Sequence, residues 1–228
     1  MPEVSNPSWF LRDPAFARGF MGARLKAFDN AVPHAGFPIL KKWAERQKLG
    51  YTIFTSNINN FFQRAGFSSD NIQETHGNAY FLQCVDNHKC IGDIWPLGDY
   101  RPTLTADLRA EGDLPQCKHC GGLARPNILM FGDWGWLSDR SDAQKENFER
   151  QYEAVDQASD KKIVVMEIGA GLDVPTVRRF SESFLYKAPG TTVIRINPHD
   201  SKSNTEGLIT LPFKALNALQ ELDSLLSN

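Results

Sequence analysis

No stretch of this chain approaches the roughly 20 apolar residues that a membrane-spanning helix needs. Its first residues, MPEVSNPSWF, carry neither the basic cluster nor the apolar run of a secretion signal. A cytoplasmic protein is therefore expected. Excess charge of one sign is also missing, since 25 Lys and Arg stand against 27 Asp and Glu for a net charge of −2. That balance offers no electrostatic footprint for nucleic acid or an anionic membrane, and it argues against a nucleic-acid-binding zinc ribbon. Small molecules or neutral peptides are the expected partners. Repeats, low-complexity tracts and long linkers are absent as well. What is present, 41% hydrophobic and 23% charged residues over 228 positions, suffices for a buried core and one large domain or two small ones.

Cysteine is scarce, with four in the chain, and all four fall in one window: Cys84, Cys90, Cys117 and Cys120. In a reducing compartment thiols stay free, so a CxxC needs a reason other than a disulfide. Two cysteine pairs separated by a 26-residue excursion resemble the two knuckles of a zinc ribbon. Four thiolates close a tetrahedral site and leave no position for water, so the ion would be structural and its binding energy would go into folding. The competing reading is two disulfides or buried free thiols. The five-residue gap between Cys84 and Cys90 is longer than usual and admits His88 or His119 as a substitute ligand.

Apolar spacing predicts helices over 13–28 and 34–48, a strand at YTIFTS (51–56), a short helix at NNFFQRAG, and a loop-rich stretch between the cysteine knuckles. Beyond them, ILMFG (128–132) reads as strand and 138–158 as a charged amphipathic helix. KIVVMEIGAG (162–171) reads as a buried strand entering a tight turn, VPTVRRFSESF as helix, TTVIRINP (191–198) as strand and FKALNALQELDSLL as a closing helix. Alternating strands and helices imply an α/β fold with a Rossmann-like parallel sheet formed by 1–83 and 121–228, with residues 84–120 inserted as a small zinc-ribbon module. In such sheets ligands bind at the carboxyl ends of the strands.

Singly these features are weak. In order, TSNIN (55–59), AG (65–66), E-x-HG (74–77), the cysteines, RPNILMFGD (125–133), GAG (169–171) and IN (196–197) resemble the sirtuin family of NAD-dependent protein deacylases, over about residues 9–225. The resemblance implies transfer of an acyl group from a lysine to ADP-ribose with release of nicotinamide, with NAD as co-substrate and zinc as structural ion. It makes His76 the general base, which suits an imidazole near neutral pH. It makes Asn57 the amide that orients the ribose and a water. Ser56, Asn57, Asn59, Gly169, Ala170, Gly171 and Asn197 become cofactor contacts; Gly132 and Asp133 border a groove in which an acylated lysine peptide or protein pairs by β-augmentation.

Three departures stand beside that likeness. The family's first strand, with its GAGxS turn and GIPDFR segment, has no counterpart in these residues, so the sheet is expected to lack that strand and the site its phosphate cradle. An aspartate that meets the nicotinamide carboxamide is replaced by Asn59, which forgoes a charge-assisted bond. Arg24 keeps the arginine of a Tyr-x-x-Arg pair that marks preference for acidic acyl groups, but Met21 replaces the tyrosine. The alternative is accordingly a catalytically impaired sirtuin-like module that binds ADP-ribose, a peptide or a protein partner.

Overall fold

The computed structural model describes residues 3–86, 90–159, 161–203 and 205–227. Its helices are α1 (Trp9–Arg12), α2 (Pro14–Asn30), α3 (Gly36–Glu45), α4 (Phe61–Arg64), α5 (Asp139–Asp156), α6 (Thr176–Lys187) and α7 (Ala215–Leu226). The strands are β1 (Ile53–Thr55), β2 (Ile72–Glu74), β3 (Gly77–Cys84), β4 (Ile94–Pro96), β5 (Thr103–Leu104), β6 (Ala110–Glu111), β7 (Ala124–Ile128), β8 (Val164–Ile168), β9 (Thr192–Ile196) and β10 (Leu208–Leu211). Contacts group these into two units, 1–32, 57–61 and 74–145 in the first, and 33–56, 62–73 and 146–228 in the second.

In the first unit α2 starts where the chain dictates: Pro14 presets the first helical φ, and the Asp13 carboxylate accepts the Phe16 N–H at 3.2 Å. The Arg109 guanidinium hydrogen-bonded to Asp13 holds that carboxyl below its usual range. Ala17, Met21 and Leu25 recur every fourth residue, which makes one apolar stripe. The stripe is buried with Phe10, Ala79, Leu82, Ala124 and Ile128. Burying Met21 and Leu25 stabilises the unit by about 1.5–3 kcal/mol each. The facing sheet has the order β4-β3-β7 and is antiparallel. Between the cysteine knuckles, where the sequence predicts mostly loop, lie three short strands, and Trp95 packs on this core.

The strand expected at 128–132 occurs instead at Ala124–Ile128, and its polar residues Arg125 and Asn127 are buried. The cause is a set of partners remote in sequence. Arg125 pairs with Asp133 through two bonds of 2.7 and 2.8 Å, and Asn127 donates to Gln83 Oε1 and to the Leu137 carbonyl, each at 2.9 Å. Asp133 also accepts the Met130 N–H at 3.3 Å, which turns the chain out of the ladder just after β7.

In the second unit β10, β9 and β8 form a parallel sheet, as the alternating pattern predicts. Strand β10 was not signalled by the sequence, because LITL is a short run inside a polar loop. Alternate side chains separate the two faces. Met166, Ile168, Ile194 and Ile196 pack with α3 and α7 through Ile39, Leu40, Trp43 and Leu219. On the same strands Glu167 and Arg195 are buried, joined to each other and to Ser181 and Glu182 of α6. Strands β1 and β2 make a separate two-stranded sheet. Phe54 of β1 stacks on Phe180 of α6, with centroids 3.7 Å apart.

Candidate active site and metal centre

Cys84 closes β3, and Cys117 and Cys120 flank a tight turn in which the Gly121 N–H donates to the Cys117 carbonyl at 2.9 Å. Together with Cys90 their sulfurs all lie within 4.8 Å of one another, with Cys84 and Cys120 3.7 Å apart and Cys90 and Cys117 3.5 Å apart. A tetrahedral tetrathiolate with metal–sulfur bonds of about 2.3 Å has edges of about 3.8 Å, so these residues fit one zinc ion. Disulfide lengths are far shorter, and all four thiols are free. Burial pushes the Cys84 and Cys90 thiols up to about 12 and about 11. At Cys117 burial opposes ionisation, but the backbone N–H groups of Cys120 and His119 prevail and bring it down to about 6. Of the two substitute ligands, His119 turns its Nε2 to Asp93 at 2.9 Å, and His88 lies outside the described residues.

His76 sits in the turn between β2 and β3, half-buried, and burial holds its imidazole below the ordinary value. Its carbonyl accepts the Leu129 N–H at 3.0 Å. The next residue can only be glycine: Gly77 has φ of 71°, and a Cβ there would lie 2.1 Å from the Asn127 carbonyl oxygen. The TSNIN segment is fastened to the same strand, since the Ala79 N–H donates to the Ile58 carbonyl at 2.8 Å. That bond ties the segment to β3 three residues after His76, with Asn57 exposed and Asn59 half-buried. The Asn59 side chain accepts the Phe61 N–H at 3.2 Å and so caps the start of α4.

In the second unit Ser56, Gly169, Ala170 and Gly171 come together around a cavity of about 530 Å³ also lined by Asp173 and Asp200. Gly169 ends β8 with φ of 70°, and its N–H donates to the Ile196 carbonyl at 2.9 Å. Asn197 binds the turn from behind. Its amide donates to the Ala170 carbonyl at 3.0 Å, and its oxygen accepts the N–H groups of His199 and Asp200 at 2.9 and 3.0 Å. No cationic side chain lines this cavity among the described residues. Hydroxyl groups therefore suit it better than phosphates.

Gly132 and Asp133 lie in the first unit in the turn after β7, but the Asp133 carboxylate points inward and is fully buried against Arg125. With the Gly135 N–H donating to it at 3.2 Å and Gln83 donating to the Gly135 carbonyl at 2.7 Å, the loop is fixed from below. It carries Trp134 into solvent at 95% exposure. Arg24 rests its guanidinium over Phe20 and Phe28, 5.8 and 5.7 Å from their centroids, and its Nε is buried with no hydrogen-bond partner among the described residues. The sequence assigns no role to Gln83 or to Arg125, which opens the RPNILMFGD segment. Both are polar residues inside strands, and that was the only available signal.

A family model described as Sir2 family matches residues 2–174. Among similar curated proteins, an NAD-dependent protein deacylase of Thermococcus sibiricus is 26% identical over 96% of this chain and 77% of its own length. Another of Aquifex aeolicus is 28% identical over 87% and 71%. An NAD-dependent protein deacetylase of Saccharolobus solfataricus is 30% identical over 76% and 60%. Two solved structures share the fold: a Sir2 homologue in complex with NAD, at TM-score 0.67 and 23% identity over 99% of this chain and 77% of that one, and a Sir2 bound to acetylated peptide, at 0.67 and 19% over 98% and 83%. Matched by the family's model over well more than half its length, the chain belongs to the Sir2 family.

Proposed function

We propose that the protein is an NAD-dependent protein-lysine deacylase. Acyl-lysine, NAD and water would give lysine, nicotinamide and O-acyl-ADP-ribose. The observation that carries this reading is His76, half-buried in the turn of the E-x-HG segment that the Leu129 N–H and Gly77 fix, where burial holds its imidazole below the ordinary value. A neutral imidazole near working pH is what a general base requires. The relatives named above, similar over most of the chain, act in this class by name. NAD would supply a ribose carbon open to the acyl oxygen as nicotinamide departs.

The chain's own residues divide the rest of the work. His76 takes a proton from a ribose hydroxyl. Asn57, exposed on the segment tied to β3, offers donor and acceptor to the ribose and to water. In the second unit Ser56 and the Gly169–Ala170–Gly171 turn line the nucleoside cavity, and Asn197 braces that turn. Gly132 and the backbone around it receive the extended acyl-lysine peptide, on a loop held by Asp133. The four cysteines take one zinc ion and stabilise residues 84–120 as an inserted module. Arg24, with its unpartnered Nε, is the residue to examine for preference among acyl groups.

The test is to incubate the zinc-loaded protein with NAD and an acyl-lysine peptide and to measure nicotinamide and O-acyl-ADP-ribose. Absence of both products from folded protein would reject the enzyme reading. A second reading, a module that binds ADP-ribose without cleaving NAD, is favoured by Asn59 in place of an aspartate. Calorimetry showing ADP-ribose binding with no nicotinamide release would select it.

A further inference from the structure

The turn that carries His76 is anchored at both ends by contacts the chemistry above does not use. Upstream stands Glu74, with 0% of its surface exposed. Its N–H donates to Gln144 Oε1 at 3.0 Å, and its carbonyl accepts the Ser141 hydroxyl at 3.1 Å. The carboxylate takes the Arg140 guanidinium, the Gln144 amide at 3.3 Å and the Asn78 side-chain amide. Arg140 is itself held over Phe81, 4.1 Å from the ring centroid. Downstream, the His76 carbonyl is tied to Leu129 and Gly77 is pressed on Asn127.

We propose that Glu74 and the Arg140, Ser141 and Gln144 side chains of α5 form a clamp that positions His76. This rests on the reading of His76 as the general base; the four clamp residues are positioning residues, because they act through the backbone of the turn. A buried carboxylate is stable only where charge and hydrogen bonds replace its hydration. Glu74 meets that condition with groups arriving from one helix face, where positions four apart are neighbours. An apolar residue could fill the same space without fixing direction. Misplacing a reacting group by about 1 Å costs on the order of a hundredfold in rate.

The decisive variant is Gln144→Leu, which removes two anchors of Glu74 and alters no charge. The clamp predicts that kcat falls roughly ten- to a hundredfold, while KM for NAD and for peptide changes less than about twofold because neither is touched. Hydrogen exchange gives a readout without activity. The Leu129 amide, bonded to the His76 carbonyl, should exchange faster relative to the Leu97 amide, which is bonded to Tyr80 at 2.8 Å. Unchanged kcat, or protection of Leu129 and Leu97 falling equally, overturns the clamp.

Arg140→Met alone strands the buried carboxylate and should lower the melting point. Adding Glu74→Gln should restore the melting point but not kcat, because the anchor from Arg140 remains lost. Recovery of both would make the network structural only and defeat the proposal. Should the native, zinc-loaded protein turn over no NAD, the functional reading fails, and the Leu129 exchange in Gln144→Leu still decides whether the clamp exists.

Discussion

Replacing Asp133 by asparagine is the sharpest test of how the loop after β7 is held. The carboxylate is 0% exposed and the Arg125 side chain 2%. It receives two guanidinium bonds and the N–H groups of Met130 and Gly135. Asparagine keeps the size and one acceptor oxygen but leaves the Arg125 charge buried and uncompensated, which costs about 3–5 kcal/mol. For a chain of this length each kcal/mol lowers the melting temperature by about 2–4 °C, so a fall of roughly 6–20 °C is expected. Circular dichroism melts of Asp133→Asn measure it, with peptide titration to follow the groove. Combining it with Arg125→Met removes the stranded charge and should recover most of the stability. It should not recover peptide binding, because the Met130 and Gly135 amides still lack their charged acceptor. A single variant that melts within about 2 °C of the native protein would show that the ion pair does not hold the loop, and the argument would fail.

Further outcomes follow from other parts of the molecule. Stripping the metal with a chelator should unfold residues 84–120 and abolish peptide binding, since structural zinc supplies on the order of 10 kcal/mol to such modules; retained binding in protein shown metal-free by elemental analysis would contradict this. Burial lowers the pKa of His76, and a general base accepts its proton in the neutral form. Activity should therefore be full above the ordinary imidazole value of about 6.5 and be lost only as pH falls through a midpoint below it; a midpoint above 6.5 in the kcat profile would count against His76 as a buried base. Asn59→Asp keeps the acceptor that the Phe61 N–H uses and adds a charge-assisted bond worth about twice a neutral one. Nicotinamide release should rise roughly fivefold, for a gain of about 1 kcal/mol, and an unchanged rate would remove Asn59 from the nicotinamide contact.

Much of the molecule is legible in its residues because the signals are local. The cysteine spacing foretells a cluster whose sulfurs do converge, and the apolar segments at 162–171 and 191–198 foretell the parallel pair β8 and β9. The same logic fails at β7. ILMFG has the stronger strand composition, yet ARPNI forms the strand, because Arg125 and Asn127 find buried partners at Asp133 and Gln83. Periodicity does not register a buried polar network, whose stability depends on groups brought together by the fold. Glu74 is a parallel case: it stands in the E-x-HG motif, but its function emerges only when α5 delivers Arg140, Ser141 and Gln144. Asn197 carries a similar lesson, since the resemblance implies a cofactor contact and the folded chain uses the side chain as a brace for the Gly169 turn.

The central claim is that this chain cleaves NAD in an acyl-dependent reaction with His76 as base. Its most direct measurement is nicotinamide release from zinc-loaded protein given NAD with and without an acyl-lysine peptide, compared with His76→Ala. The account predicts release that depends on the peptide, is matched by O-acyl-ADP-ribose, and drops by about 10²–10⁴-fold in the variant. Equal release from native protein and His76→Ala, or none from a folded native protein, would contradict it.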